Sequence, residues 1–360
     1  MTTELERAPA NARPAALTAE ILAHIAAGAE ALDNGERDTR HHVELLSRAG
    51  LTGLGAPLNH DRALPAMAAV IGELANVCLS TAFSVWAHRM TIEYLAAAAT
   101  PWSQGASSGL LTGQVLGVTG MASAFKDAAG CGSLDLTAEP VEDGYTLSGT
   151  LRWASNLLPD SILVTAAQVG AGEKIVVALP LSTQGVKIGG HFDLLALGST
   201  ASSYLILNDA VITNDQILSR DIQTFLDAVR PTFLVLQSAM CLGLARRSLN
   251  EIRPNLTGVN SVFAPEVDAL AAKLAVLEAT VAASADSVGG AATPGKRELL
   301  TMRLGAAEVV SAAAALEIRA AGGKGYARRT DASRRYREAA FIPVQSPSEA
   351  QLRWELSTCQ

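Results

Sequence analysis

Two regions that favour helices flank a single stretch that favours β-strands, and this order limits the folds open to the chain. Residues 18–50 and 62–99 are rich in alanine and carry apolar residues at helical spacing. After about residue 112 the pattern alternates between apolar and polar, as in half-buried strands, and this continues to about residue 215. The helical pattern then returns in four segments, residues 221–253, 265–287, 296–321 and 331–340.

This order predicts an α+β fold with three domains. We expect an all-α N-terminal domain over 1–112, a β-barrel-like middle domain over 113–215 and a C-terminal four-helix bundle over 216–360. Strands and helices do not alternate, which disfavours a doubly wound parallel sheet. The glycine motif at 322–325 follows a helix, whereas a dinucleotide-binding fingerprint follows a strand.

Composition narrows the classes of partner. The formal net charge is −7, which disfavours nucleic acid and anionic membrane surfaces as partners. The four cysteines are scattered, without the spacing of a metal site, so we expect no metal and reduced thiols in a cytoplasmic protein. The first 17 residues contain acids and no apolar core, so we expect no secretory signal there.

Six segments carry motifs in a specific order and spacing. They are HHVELLSRAGLTGLGAP (41–57), ELANVCLSTAFSVWAHRM (73–90), LGVTGMASAF (116–125), GYTLSGTLRWASN (144–156), LALGSTASSYLILNDAVIT (195–213) and AAGGKGYARRTDASRRYREA (320–339). Together, from about residue 40 to residue 353, they resemble the acyl-CoA dehydrogenase superfamily of flavoproteins. The resemblance implies an acyl-CoA dehydrogenase-like fold, FAD as cofactor, and a homodimer or homotetramer, with a heteromeric assembly as an alternative.

Four residues in the strand-rich region match family positions that contact the flavin ring. The resemblance implies that Trp153, Ala154 and Ser155 lie against the ring, that Ser155 donates to N5, and that Thr119 reaches the pyrimidine edge. A flavin requires such a dry face and a hydrogen bond at N5. The alternatives are a strand-end tryptophan that serves only the core and a threonine with no special role. After Thr119 the acid, proline and Ser-Asp of the family motif are missing.

The glycine loop near the end of the chain matches the family segment that contacts the adenosine diphosphate of a neighbouring subunit's FAD. The residues concerned are Gly322, Gly323 and Gly325, which let backbone N–H groups approach an anion. Arg319 stands where the family usually has glutamine, and its guanidinium suits a pyrophosphate. A glycine cap that ends a long helix is the alternative.

A basic helix follows this loop. Arg334, Arg335 and Arg337 alternate with other residues after a plausible N-cap at Thr330 or Asp331. Such a pattern is most often a solvated face or an intersubunit salt-bridge set. We interpret it in that way, with a role at the phosphates of coenzyme A or FAD as the second possibility.

The base of the family's reaction is missing from its expected positions. Acyl-CoA dehydrogenases use a glutamate to remove a proton from the thioester, and Gln345 stands at that position. At the alternative family position on the first C-terminal helix the match gives Phe233, with Asp227 the nearest acid. The family's Arg-x-x-Phe-Gly motif is also altered, and Arg253 is the possible stand-in.

Three functions remain open from the sequence. The first is a flavin oxygenase-type oxidoreductase that acts on a CoA thioester or on a small aromatic or alicyclic substrate. His88 is then a candidate polar group, although a satisfied buried histidine is the more common reason for a histidine on an apolar helix. The second is an acyl-CoA dehydrogenase whose base is displaced to Asp127, Glu93 or Glu349. The third is a non-catalytic subunit of a heteromeric acyl-CoA dehydrogenase.

Overall fold

The computed structural model describes residues 17–359. The N-terminal segment in which we expect no secretory signal lies, apart from residue 17, outside this range. Within residues 17–359, five α-helices come first, α1 Ala19–Asp33, α2 Arg40–Arg48, α3 Leu64–Val77, α4 Leu79–Ala98 and α5 Pro101–Leu111. Threonine side chains cap two of them, because Thr18 accepts from the N–H of Ile21 and Thr100 from that of Ser103.

The predicted helical region 62–99 is a pair of helices rather than one. Cys78 between them has an extended backbone, with φ −159° and ψ 105°, and this ends α3 and starts α4. The first 17 residues of α4, Leu79 to Leu95, are all buried, which explains why its apolar pattern has no polar face.

In the described part of the chain, eight strands follow and form one sheet. They are β1 Gly117–Gly120, β2 Leu136–Val141, β3 Gly144–Ala154, β4 Ile162–Val169, β5 Glu173–Pro180, β6 Val186–Ile188, β7 Ser203–Thr213 and β8 Ile217–Ser219. The order across the sheet is β6-β7-β3-β2-β4-β5-β8, and β1 pairs with β4 in parallel. β2 also pairs with β4 in parallel, and the other five pairings among the described strands are antiparallel. β8 extends the sheet past the predicted boundary at residue 215.

One helix lies within the predicted strand-rich region. In LGVTGMASAF, β1 leads directly into a short helix, α6 Ala122–Ala128, which was not predicted. The alanines at positions 122, 124 and 128 favour a helix at this point. Three buried side chains, Ser123, Ala124 and Phe125, anchor the helix.

The C-terminal part is again helical. It comprises α7 Ile222–Ile252, α8 Ala264–Ser287, α9 Lys296–Tyr326, α10 Asp331–Phe341 and α11 Glu349–Thr358. Two helices, over 222–255 and 296–326, are long and apolar enough to cross a membrane. However, 94% and 61% of the residues in their most apolar 18-residue segments are buried inside the protein. Both are thus core helices of the fold. The fold agrees with the α+β prediction, while the division into three domains stays a prediction.

Candidate active site

A cavity of about 540 Å³ lies where the N-terminal helices, the sheet and the C-terminal helices meet. Its volume is within the usual range for sites that bind small organic molecules. The residues that line it are Phe83, Trp86, Ala87, Thr119, Ala122, Lys126, Trp153, Ala154, Ser155, Leu194, Leu195, Ala196, Leu197, Ser202, Phe233, Arg337, Ala340, Phe341, Val344, Gln345 and Ser346.

The four residues that the sequence assigned to the flavin ring come together in this cavity. Thr119 comes from β1, while Trp153, Ala154 and Ser155 come from the end of β3. The Trp153 side chain is 62% exposed, and its ring lies 4.5 Å from that of Phe192. Trp153 is therefore not a core residue, which removes the alternative explanation for it.

Thr119 is held by a buried tyrosine. The Tyr94 hydroxyl lies 3.1 Å from Thr119 Oγ1, and Tyr94 is fully buried on α4. Desolvation raises the pKa of Tyr94, so its hydroxyl keeps its proton. The contact joins β1 to α4 and fixes the Thr119 side chain at the cavity wall.

The hydroxyl of Ser155 belongs to a chain whose direction can be deduced. Thr200 Oγ1 donates to the carbonyl of Leu197 at 2.7 Å, so it accepts from Ser202 Oγ, also at 2.7 Å. Ser202 has then used its proton and accepts from Ser155 Oγ at 2.6 Å. Because Ser155 gives its proton to Ser202, its hydroxyl oxygen can only accept a hydrogen bond from a group in the cavity. From the resemblance we expected Ser155 to donate. The role of Ser155 at a flavin stays a prediction.

Aromatic side chains form a second wall. Phe83 and Trp86 stack with centroids 5.6 Å apart, Phe341 meets Phe83 at 4.9 Å, and Phe233 meets Trp86 at 4.9 Å. The indole N–H of Trp86 is buried and has no hydrogen-bond partner among the described residues. This wall accepts an apolar ring and also offers one unused donor.

The charges at the cavity are all positive. Among the described residues that line it there is no aspartate, glutamate or histidine, and the charged ones are Lys126 and Arg337. Arg337 is neutralised by Asp33 through two hydrogen bonds of 2.6 and 2.7 Å. Lys126 forms no ion pair within 4 Å in the part of the chain that the structure describes.

Gln345 lies at the cavity, held by a buried arginine. Its side chain is only 4% exposed, and its Oε1 accepts from Arg303 Nη2 at 3.3 Å. Arg303 also donates from Nε to Gln237 Oε1 at 3.1 Å, and Gln237 Nε2 donates to the carbonyl of Ser346 at 2.9 Å. Because a guanidinium only donates, it fixes the orientation of both amides. Gln345 therefore presents its N–H₂ group, a donor, where the resemblance placed a proton acceptor.

None of the carboxylates proposed as displaced bases lines the cavity. Glu93 is buried against Arg89 at 2.8 Å, Asp127 pairs with Lys174 at 2.6 Å, and Glu349 pairs with Arg353 at 2.9 Å. Asp227 is exposed and accepts from Gln223. Phe233 does line the cavity, as an apolar wall.

His88 is not a residue of the cavity. It is fully buried, its Nε2 lies 3.0 Å from the carbonyl of Leu110, and its Nδ1 accepts the N–H of Gly117 at 3.0 Å. Burial lowers the pKa of His88 to about 4, so the ring is neutral. The candidate catalytic role for His88 is wrong, since both ring nitrogens serve to join α4 to β1.

The glycine loop lies away from this cavity within one chain. Gly322 has φ 60° and ψ −147°, a conformation open mainly to glycine, and it interrupts α9. Gly322 and Gly323 are exposed and Gly325 is buried. Arg319 is held by Glu266 through hydrogen bonds of 2.7 and 2.9 Å. The loop's role at a neighbour's cofactor stays a prediction, as does that of Arg253, which is exposed at the end of α7.

The basic helix does not match its predicted solvated face. Arg335 is 4% exposed and holds Glu317 of α9 at 2.5 Å, and Arg337 holds Asp33 of α1. Arg334 is also buried and pairs with Asp331. Arg335 and Arg337 thus connect helices of one chain, because acids far away in the sequence come close to them in the fold.

Three features of the site were not predicted from the sequence. Arg303 and Gln237 lie within α9 and α7, and a polar side chain inside an apolar helical run is the signal that would have found them. The third feature is the segment over 194–197, which lies between β6 and β7 and lines the cavity. Nothing in its local sequence marks it as part of a site.

Comparisons with known proteins agree with this architecture. No family model matches the chain. The short-chain specific acyl-CoA dehydrogenase of Bos taurus mitochondria is 25% identical over 227 residues, which are 59% of this chain and 55% of that protein. The chain thus spans about half the length of the curated relatives that it matches.

Solved structures resemble the whole chain. The butyryl-CoA dehydrogenase of Megasphaera elsdenii superposes with a TM-score of 0.83 at 16% identity, over 95% of this chain and 98% of the other. A structure of PigA with FAD and proline superposes with a TM-score of 0.75 at 15% identity, over 95% and 97%.

The fold and its central cavity define an acyl-CoA dehydrogenase-like architecture, in which a β-sheet lies between two helical regions. Order of elements, full-length superposition and the similarity to the bovine protein agree on this class. The chain therefore has an acyl-CoA dehydrogenase-like fold.

Proposed function

We propose that this protein is a FAD-dependent oxidoreductase of the oxygenase type, acting on a CoA thioester or on a small aromatic or alicyclic substrate. The similar proteins include acyl-CoA dehydrogenases and PigA, whose structure contains FAD. The observation that carries the proposal is the absence of any carboxylate or histidine among the described residues that line the cavity.

The residues present fit a flavin. Trp153 offers an exposed aromatic face, and the buried N–H of Trp86 has no partner among the described residues, as expected where a ligand supplies the acceptor. Thr119, Ala154 and Ser155 would border the ring system, and Gly322–Gly325 of a neighbouring chain would hold the adenosine diphosphate. The bound flavin would supply the redox chemistry.

The residues of this chain then bind, orient and exclude water, and none of those at the cavity is a base. Lys126 and Arg337 are cations at neutral pH, and Gln345 presents a donor. A dehydrogenase that removes a proton from its substrate needs an acceptor within hydrogen-bond reach. Glu93, Asp127 and Glu349 are each engaged by a cation outside the cavity, which disfavours the displaced-base alternative.

The test is to mix the FAD-loaded protein with butyryl-CoA without oxygen and to follow the flavin absorption band. We expect the band to persist, because no residue at the cavity accepts the α-proton. Bleaching of the band at a catalytic rate would overturn the oxygenase assignment in favour of a dehydrogenase. A protein that retains no FAD would instead support a non-catalytic subunit.

A further inference from the structure

One end of the cavity carries hydrogen-bond donors that nothing in the described chain uses. Gln345 Nε2 and Ser346 Oγ are buried and have no partner, although both residues line the cavity. Gln345 comes from the turn after α10 and is 96% buried, since 4% of its surface is exposed. Unpaired buried donors are rare in folded proteins because each one loses its bonds to water. We call Gln345, Ser346 and Arg303 the donor floor of the cavity.

The donor floor has a positive charge directly behind it. Arg303 is 0% exposed and its partners are amide and carbonyl oxygens of Gln237, Ile342 and Gln345. No carboxylate lies within 4 Å of it among residues 17–359, and its Nη1 has no partner. A buried cation without a counter-ion is costly, so a fold that retains one has a use for its charge.

The same arrangement fixes the direction of the Gln345 amide. The guanidinium takes Oε1 and leaves Nε2 as the unpaired donor, so Arg303 both orients and polarises the group. Lys126, which lines the cavity, is a second cation without an ion pair among the described residues, while the chain as a whole has a net charge of −7. The positive potential is thus local to the cavity.

We propose that the donor floor recognises a carboxylate on a substrate whose body is apolar. The carboxylate would accept from Gln345 Nε2 and Ser346 Oγ, with the charge of Arg303 one hydrogen bond behind. The aromatic wall of Phe83, Trp86 and Phe341 would enclose the rest of the molecule. This inference deepens the proposed function and rests on it, because it names the substrate class of the same cavity.

The experiment measures binding of benzoate, and of its neutral analogue benzamide, by titration calorimetry. It uses the protein after incubation with FAD and records flavin occupancy separately. We expect benzoate to bind at least tenfold more tightly than benzamide, as a hydrogen bond to a charged group predicts. Equal affinities, or tighter binding of benzamide, would overturn the proposal. Loss of flavin with the benzoate preference intact would refute the proposed function and leave the anion site standing.

Two substitutions of Gln345 separate recognition from structure. Gln345→Leu keeps the volume and removes the donor, so we expect benzoate affinity to fall about tenfold and the preference to disappear. Gln345→Glu places a carboxylate against Arg303, which neutralises the charge and repels benzoate, so the preference should reverse. Lys273→Met is the matched control, since it removes an exposed cation of α8 that does not line the cavity, and it should keep the preference. If Gln345→Glu still favours benzoate, the donor floor is not the site.

Discussion

At the scale of single residues, a substitution of Trp153 tests flavin binding with little effect on the stability of the fold. Its side chain is 62% exposed, so Trp153→Ala should change the free energy of unfolding by less than about 1 kcal/mol. The same change should lower flavin occupancy severalfold, because it removes the flat face of the cavity. Trp354→Ala, at a 49% exposed tryptophan of α11 outside the cavity, is the control and should retain flavin. Occupancy is read from the flavin band of the purified proteins.

His88 gives a prediction about pH. Its pKa in the folded protein is about 4, below the ordinary 6.5, so between these values the unfolded chain binds more protons. The contribution of His88 to stability is therefore complete above pH 6.5 and is lost as the pH falls toward 4.

The measurement is urea unfolding of wild type and His88→Gln at pH 7.5 and pH 5. The variant should lose less stability than wild type over this interval, by about 2 kcal/mol. His60→Gln, at an exposed histidine, should behave like wild type. Identical pH dependence in wild type and His88→Gln would show that His88 titrates normally.

Residue roles were predictable only where a motif marks them. Thr119, Trp153, Ala154 and Ser155 were predicted as neighbours and do share a cavity. The sequence predicted that Gln345 stands at the position of the family's base. The direction in which its amide points, however, depends on Arg303, which is 42 residues away in the chain. A hydrogen bond between residues so far apart in the chain cannot be predicted from the spacing of residues within one segment.

At the scale of elements, α10 is anchored to α9 by a buried ion pair. Glu317→Ala would leave Arg335 buried without a counter-ion, and we expect a loss of about 3–5 kcal/mol in the free energy of unfolding. The exposed pair of Glu349 and Arg353 is the control, for which Glu349→Ala should cost less than about 1 kcal/mol.

A double variant tests the cause of that loss. Glu317→Ala combined with Arg335→Met removes both charges, so urea unfolding should recover most of the stability. A Glu317→Ala variant as stable as Glu349→Ala would contradict the anchoring role of the pair.

The elements themselves followed largely from periodicity. Alanine-rich segments gave helices near their predicted positions, and the strand-rich region predicted from alternation contains β1 to β7, because both patterns are local. Helices α5 and α6 were not predicted.

At the scale of the whole molecule, we expect a homodimer or homotetramer. The glycine loop lies away from the cavity of its own chain, so a complete FAD site would need a second copy. Size-exclusion chromatography with light scattering should show that flavin elutes only with the oligomer. A flavin-loaded monomer would contradict this arrangement.

The measurement that tests the central claim most directly is an absorption spectrum of the purified protein, before and after addition of FAD and desalting. The account predicts a flavin band close to one FAD per chain after desalting. A colourless protein that does not retain added FAD would contradict it, and would mean that the cavity around Trp153 and Gln345 no longer binds a flavin.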